Sequence, residues 1–362
     1  MKKIFTQSLF VAVATSFLSL NIQAQENKAL EDRVAKIEGI TSKLPSISGL
    51  VNGRFQYSDA GDGSNSFDIR RARLDLRGNL SSKFDYRLQT ELAGTPKVLD
   101  AFLRWKPSSY FNVQAGQFKY SFSLENPYSP TTLETIENST VISKLSGYSD
   151  EAKVGGNGRD IGIAFYGGFV KKKGYNLIDY SVGIVNGNGI NNTDNNKGKN
   201  FTGILTVNPI KELALAVSHY NGSTGVAKTD ADGKEVKVNG KTVIEDFDRT
   251  RTGFGAKYDN KTLLVRGEYI TGKTDKKESD GFYVTAAYYV TPKVQPVLKY
   301  DYYRTDTKDT RLDKDAPLTN YIAGVNYYPI KNLRLQLNYT YKTQEGAAKD
   351  ENRISAQLLV TF

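Results

Sequence analysis

The chain has 362 residues, no cysteine, one histidine and a formal charge of +10, with 23 tyrosines and 17 phenylalanines against a single tryptophan. Without cysteine there are no disulfides or thiolate metal sites, and one histidine excludes a His-metal cluster and nearly all His-based triad chemistry. Mean hydropathy is −0.48. No apolar stretch past the N-terminus approaches the ~18 residues of a spanning helix. A closed β-barrel stays possible, because its strands show only alternate residues to lipid.

Met1 to Ala24 has the layout of a secretory signal: Lys2 and Lys3, an apolar run from Ile4 to Leu20, and Ile22-Gln23-Ala24 as the cleavage site. Its removal predicts a mature chain of about +8. From Gln25 to Leu44, the residues Leu30, Val34, Ile37, Thr41 and Leu44 follow a 4-3-4-3 spacing. Over 25–46 this reads either as a short periplasmic coiled coil that helps trimerise the chain, or as an arm that becomes helical only on contact. Pro45 ends it.

From Ile47 onward about sixteen period-2 segments follow, each near the ~9–11 residues that a tilted transmembrane strand needs. They run over 47–57, 67–79, 84–92, 98–106, 111–120, 159–169, 177–186, 200–208, 211–220, 249–258, 261–272, 279–290, 294–304, 318–328, 332–343 and 351–362. In 332–343, Leu333, Leu335, Leu337, Tyr339 and Tyr341 alternate with Arg334, Gln336, Asn338, Thr340 and Lys342. The last segment, ENRISAQLLVTF, ends on a bare aromatic carboxylate at Phe362, like the C-terminal signal of bacterial outer-membrane barrels. Short turns such as Asn208-Pro209-Ile210, Asp259-Asn260 and Pro329-Ile330-Lys331 alternate with longer polar loops at 58–66, 121–158, 187–199, 221–248, 305–317 and 344–350. The fold expected over 47–362 is therefore all-β: a transmembrane antiparallel β-barrel of about sixteen strands. Such a lumen passes water and small solutes.

If Ala72, Leu74 and Leu76 face lipid, then Arg71, Arg73, Asp75 and Arg77 face the lumen. Arg70 then shares the lipid-side parity and is expected near the outer rim. Neighbouring segments send Arg54, Arg87, Arg104 and Arg353 inward as well. Two readings fit these arginines. Guanidinium forks could form a ladder that concentrates anions and passes them on. Equally, they could be a wetted wall whose charges pair with Asp75, Asp85, Asp100 and Glu91.

The connection 121–158 is the longest, and loops of that length are usually functional or disordered. Pro127, Pro130 and a helix-like run over 131–139 suggest an ordered segment that folds inward after the fifth strand and narrows the pore. Its Glu125, Glu134, Glu137, Asp150 and Glu151 oppose only Lys144 and Lys153. An acidic loop opposite an arginine wall predicts a transverse field across the passage.

Four segments carry a family resemblance: FDIRRARLDLRG (67–78), DAFLRW (100–105), AGQFKYSFSLE (115–125) and GRDIGIAFYG (158–167). Together they resemble the phosphate-selective porin O and P family. The resemblance implies a trimeric sixteen-stranded outer-membrane pore with an arginine-rich passage and an inward third loop. It also implies that Arg70, Arg71, Arg73 and Lys119 lie along the anion path.

The expected function is passive diffusion of small hydrophilic solutes across the outer membrane. Arg54, Arg70, Arg71, Arg73, Arg77, Arg87, Arg104 and Lys119 form the anion path, and Glu125, Glu134 and Glu137 mark the constriction. The expected partners are small anions such as phosphate, outer-membrane lipid and two further copies of the chain, with no nucleic acid, no metal and no cofactor. A general or carbohydrate pore is the alternative, with Phe102, Phe118 and Tyr120 as the contact surface. A surface receptor or adhesin using the loops 187–199 and 221–248 is a third. An enzyme is not expected: Ser218 and His219 are strand neighbours on opposite faces and cannot form a dyad.

Overall fold

A computed structural model describes residues Lys28, Leu30, Glu31, Arg33, Val34, 44–150, 152, 154–230, 232–308, 316–345 and 349–362. The expected signal 1–24 lies outside the described residues, as does most of the 25–46 segment, of which Lys28, Leu30, Glu31, Arg33 and Val34 are helical.

The strands are β1 (Ser46–Ser58), β2 (Ser64–Asn79), β3 (Phe84–Glu91), β4 (Lys97–Trp105), β5 (Asn112–Lys119), β6 (Arg159–Lys172), β7 (Tyr175–Val185), β8 (Asn200–Ile210) and β9 (Leu213–Ala227). They continue as β10 (Lys237–Val238), β11 (Lys241–Thr242), β12 (Ile244–Asp259), β13 (Leu263–Thr274), β14 (Lys277–Tyr288), β15 (Val294–Arg304), β16 (Leu318–Ile330), β17 (Leu333–Gln344) and β18 (Glu351–Thr361). The small β10–β11 hairpin forms its own two-stranded sheet; the other strands pair antiparallel in chain order, β9 with β12, and β18 returns to β1, so sixteen strands close one barrel. Closure removes every unpaired sheet edge.

Closure depends on the chain end. Gly49 N donates to Phe362 O at 2.9 Å and Phe362 N to Gly49 O at 3.1 Å. A Cβ on Gly49 would meet the Phe362 ring at 2.5 Å and the Arg73 carbonyl at 2.7 Å, so only glycine admits that ring.

The burial pattern is inverted relative to a water-soluble sheet. Along β17, Arg334, Gln336 and Asn338 are 3–4 % exposed, while Leu335, Leu337 and Tyr339 are 40–48 % exposed. The polar face looks into the barrel and the apolar face outward, as a lipid surround requires. Ser218 is buried and His219 exposed, on opposite faces as expected.

The apolar core lies beneath the long connection between β5 and β6. A short helix there, α1 (Thr140–Leu145), buries Val141, Ile142 and Leu145 against Tyr120, Phe122, Ile270, Tyr283 and Tyr303. The helix expected over 131–139 does not form. Wall side chains take its backbone carbonyls instead: Arg334 binds Pro130 O and Leu133 O, Asn326 binds Glu134 O, and Arg70 binds Ile136 O.

Candidate functional site

The site begins with an irregularity in β2. Asn52 of β1 pairs with Arg71, but the next residue, Gly53, pairs with Ile69, leaving Arg70 as the extra residue of a β-bulge. A bulge re-aims the side chain it carries. Arg70 therefore leaves the lipid-side parity expected of it and projects into the barrel, where its guanidinium binds Ile136 O at 2.7 Å, Gln357 Oε1 at 3.5 Å and the Glu137 carboxylate. Below the bulge, Arg71 and Arg73 keep their inward parity. Two consecutive arginines thus share one face.

These residues line a lumen cavity of about 510 Å³. Its wall carries six basic side chains, Arg70, Arg71, Arg73, Lys97, Lys119 and Arg159, and two carboxylates, Glu91 and Glu137. Arg73 Nε donates to Glu91 at 2.7 Å, and Arg159 Nε to Asp100 at 2.7 Å. Among the described residues Lys119 has no carboxylate partner. Its Nζ donates to Asn126 O at 2.5 Å, Tyr128 O at 2.8 Å and Tyr148 Oη at 3.3 Å. Arg71 Nη1 is buried without a hydrogen-bond partner, so one strong donor on this wall is uncommitted.

The remaining expected path residues are paired. Arg54 binds Asp68 at 2.5 Å and Glu137 at 3.0 Å. Arg77 and Arg87 share Asp75 at 2.8 and 2.7 Å, and Arg87 also reaches Asp100 at 2.9 Å. Arg104 holds Asp85 at 2.6 Å. A second cavity of about 480 Å³, on the short-turn side, is lined by Arg104, Tyr166, Asp179 and Ser181. Lys119 lines both cavities and stands between them.

The acidic loop does not face the arginine wall as a block. Glu125 and Glu134 turn to Arg266 on β13, at 3.5 and 2.7 Å, and Asp150 binds Arg249 on β12 at 2.7 Å. Arg266 also stacks on Tyr128 at 4.2 Å. These pairs are buried, because a carboxylate taken from water needs a cation more than it needs a view of the lumen. Burial opposes ionisation of Glu125, yet Lys299, Arg266 and the Ser139 donors together hold its carboxyl below the usual range. Of the three expected constriction acids, only Glu137 meets Arg54 and Arg70. The expected transverse field shrinks to that contact.

Further carboxylates fasten the same segment. Glu268 accepts from Ser123 Oγ, Leu124 N and Glu125 N at 2.9, 2.6 and 3.0 Å. Asp301 accepts from Thr140 N and Oγ1 at 2.8 and 2.7 Å. Arg249, Arg266, Glu268, Lys299 and Asp301 were not singled out in the sequence, and Arg334 only as part of an alternation, although each sits on the polar parity of its strand. Parity marks them as inward; only the fold shows that they hold the loop. Phe118 and Tyr120 are buried in the core beneath the loop, and Phe102 packs against its edge.

A closed sixteen-stranded barrel, apolar outside and with a charged lumen, defines the class of outer-membrane porins. The phosphate-selective porin O and P family model matches residues 51–362, and the chain belongs to that family. Among solved structures, the chain is similar to an anion-selective porin from Comamonas acidovorans (TM-score 0.65, 14 % identity, 88 % of this chain and 99 % of that one). It is also similar to OmpF of Salmonella typhi in complex with daunomycin (TM-score 0.64, 14 % identity, 89 % and 99 %). A third is the trimer form of OmpT from Vibrio cholerae (TM-score 0.61, 12 % identity, 88 % and 99 %). At these identities the likeness is one of fold. No curated protein matches the sequence significantly.

Proposed function

We propose that this porin is a passive outer-membrane pore favouring small anions, phosphate among them, and that the chamber of Arg70, Arg71 and Arg73 sets the preference. The observation that carries this is the imbalance of the chamber wall: six basic groups against two carboxylates, with Arg71 Nη1 uncommitted. Arg71 makes no ion pair among the described residues, so its guanidinium can meet an anion oxygen without first breaking one, which keeps transit fast. The 121–158 segment acts as the constriction, held by Arg249, Arg266 and Asp301. Lys119, bound only to neutral oxygens among the described residues, passes the anion between the two cavities. No bond is broken and no cofactor takes part. The working unit is a homotrimer in the outer membrane after removal of residues 1–24, in keeping with the trimer form of the Vibrio cholerae barrel.

The test is the reversal potential of the purified protein in a planar bilayer under a KCl gradient, followed by phosphate titration. A chloride-directed potential with phosphate block supports the selective reading. A potential near zero without block makes this a general diffusion pore.

A further inference from the structure

The short-turn rim of the barrel carries a ring of lysines. Seven short turns form one rim, between β2 and β3, β4 and β5, β6 and β7, β8 and β9, β12 and β13, β14 and β15, and β16 and β17. Each carries lysine at the turn or its strand end: Lys83; Lys106; Lys171, Lys172 and Lys173; Lys211; Lys261; Lys293; and Lys331. All except Lys106 are exposed, and among the described residues only Lys106 makes an ion pair, to Asp85 at 2.5 Å. On the long-loop rim, Lys199, Lys228, Lys308 and Lys349 are held by Asp194, Glu245, Glu278 and Asp59. Other long-loop lysines, Lys197, Lys234, Lys237, Lys241, Lys273 and Lys276, make no ion pair among the described residues, so what sets the short-turn rim apart is that every one of its turns carries a lysine, all but Lys106 of them unpaired.

The free lysines also adjoin the apolar outer face. Lys83 precedes Phe84, Lys171 follows Val170, and the sequence Pro-Ile-Lys occurs twice, ending at Lys211 and Lys331. Phe84, Val170, Ile210 and Ile330 are exposed on the outer surface. Phe84 and Trp105 stack at 6.4 Å, and Tyr110, Phe169 and Tyr180 stack beside them, as an aromatic girdle at a membrane interface would. A lysine stem laid along such a face carries its ammonium to the level of lipid phosphates.

We propose that the short-turn rim is a binding surface for anionic phospholipid headgroups, specifically phosphodiesters of the leaflet that the short turns meet. A lipid source is favoured over a cell-wall polymer because the free ammonium groups border the exposed apolar and aromatic belt all round the barrel. A lysine close to such headgroups favours them about fivefold each.

Trp105, the sole tryptophan, lies in this rim and reports on it. The full-length protein is reconstituted with brominated phosphatidylglycerol or brominated phosphatidylcholine at equal mole fraction, and tryptophan quenching is read. The expected result is several-fold preferential quenching by the glycerol lipid, weakened by salt. It should fall in a variant carrying Lys83→Gln, Lys171→Gln, Lys172→Gln and Lys173→Gln, and persist in Lys228→Gln. These side chains are exposed and unpaired, so the variant is expected to fold, and a heat-modifiable gel band verifies that. Equal quenching by both lipids, or a preference that survives in the folded quadruple variant, overturns the proposal. So does lysine-dependent pelleting with purified peptidoglycan without any lipid preference.

Discussion

Arg70 and Arg71 are adjacent in the chain yet project into the same chamber, because the β-bulge opposite Asn52 and Gly53 gives one extra residue to β2. Their surroundings differ sharply. Arg70 is tied to Glu137, Ile136 and Gln357, whereas Arg71 keeps one guanidinium nitrogen unpartnered. The first holds the loop against the wall; the second makes no ion pair among the described residues.

That difference makes Arg71→Gln the discriminating substitution. No ion pair is broken, and a buried unpaired charge is removed, so thermal stability in detergent should hold or rise. The reversal potential under a KCl gradient should move toward zero, with phosphate block weakened on the order of tenfold, the worth of one charge-assisted contact. Arg73→Gln serves as the contrast. It orphans Glu91, which accepts from Arg73 Nε and from the Ala72 and Ala93 amides, and should lower stability as well as selectivity.

Arg266→Met tests the anchoring of the long connection. It leaves Glu125 and Glu134 buried without their shared cation, a loss of about 3–5 kcal/mol for a broken buried pair. Single-channel conductance should rise and become noisier as the segment leaves the wall. Adding Glu134→Gln removes one stranded charge and should recover part of the stability. Conductance unchanged in a folded Arg266→Met protein would show that the segment does not restrict the pore.

Acid should have the same effect by another route. Glu125 is held below its ordinary value, so its contribution is fully present above the unfolded carboxyl value of about 4.3 and is lost as pH falls through its lower folded value. The part of the acid response that depends on Glu125 should therefore appear only below about pH 4.3. Glu125→Gln should flatten that acid limb, measured by single-channel recording across a pH series.

Gly49→Val addresses closure. The new side chain would overlap the Phe362 ring and the Arg73 carbonyl, and overpacking of this kind costs about 1–3 kcal/mol. The heat-modifiable band on a semi-native gel should melt at lower temperature. Adding Phe362→Ala should relieve only part of the loss, because the clash with the Arg73 carbonyl remains.

The strands were legible because each must satisfy two solvents at once, and lipid on one face with water on the other prints a period of two. Where lipid ends, that print fades. β9 runs on to Ala227 and β12 begins at Ile244, several residues beyond the expected 220 and 249, because Gly222 to Gly225 and Glu245 to Asp248 have no apolar face to show. The bulge at Arg70 was invisible for a different reason. A two-against-one pairing depends on the partner strand and leaves no mark in one strand's own alternation. The bonds of Arg266 to Glu134 and of Asp301 to Thr140 join residues 132 and 161 positions apart, which no local pattern encodes. The aromatic pair Phe118 and Tyr120 could be read as contact surface or packing from sequence, and only the loop folded over them decides for packing.

The hydrogen bonds between Gly49 and Phe362 also set an order of events. Every other pairing in the barrel joins successive barrel strands, but the second edge of β1 waits for the last residues of the chain. Until they arrive, two raw strand edges stand open, each able to recruit a foreign strand. Losing β18 would remove little of the molecule's mass but the whole seam from Arg353 to Thr361, leaving β1 and β17 as open edges.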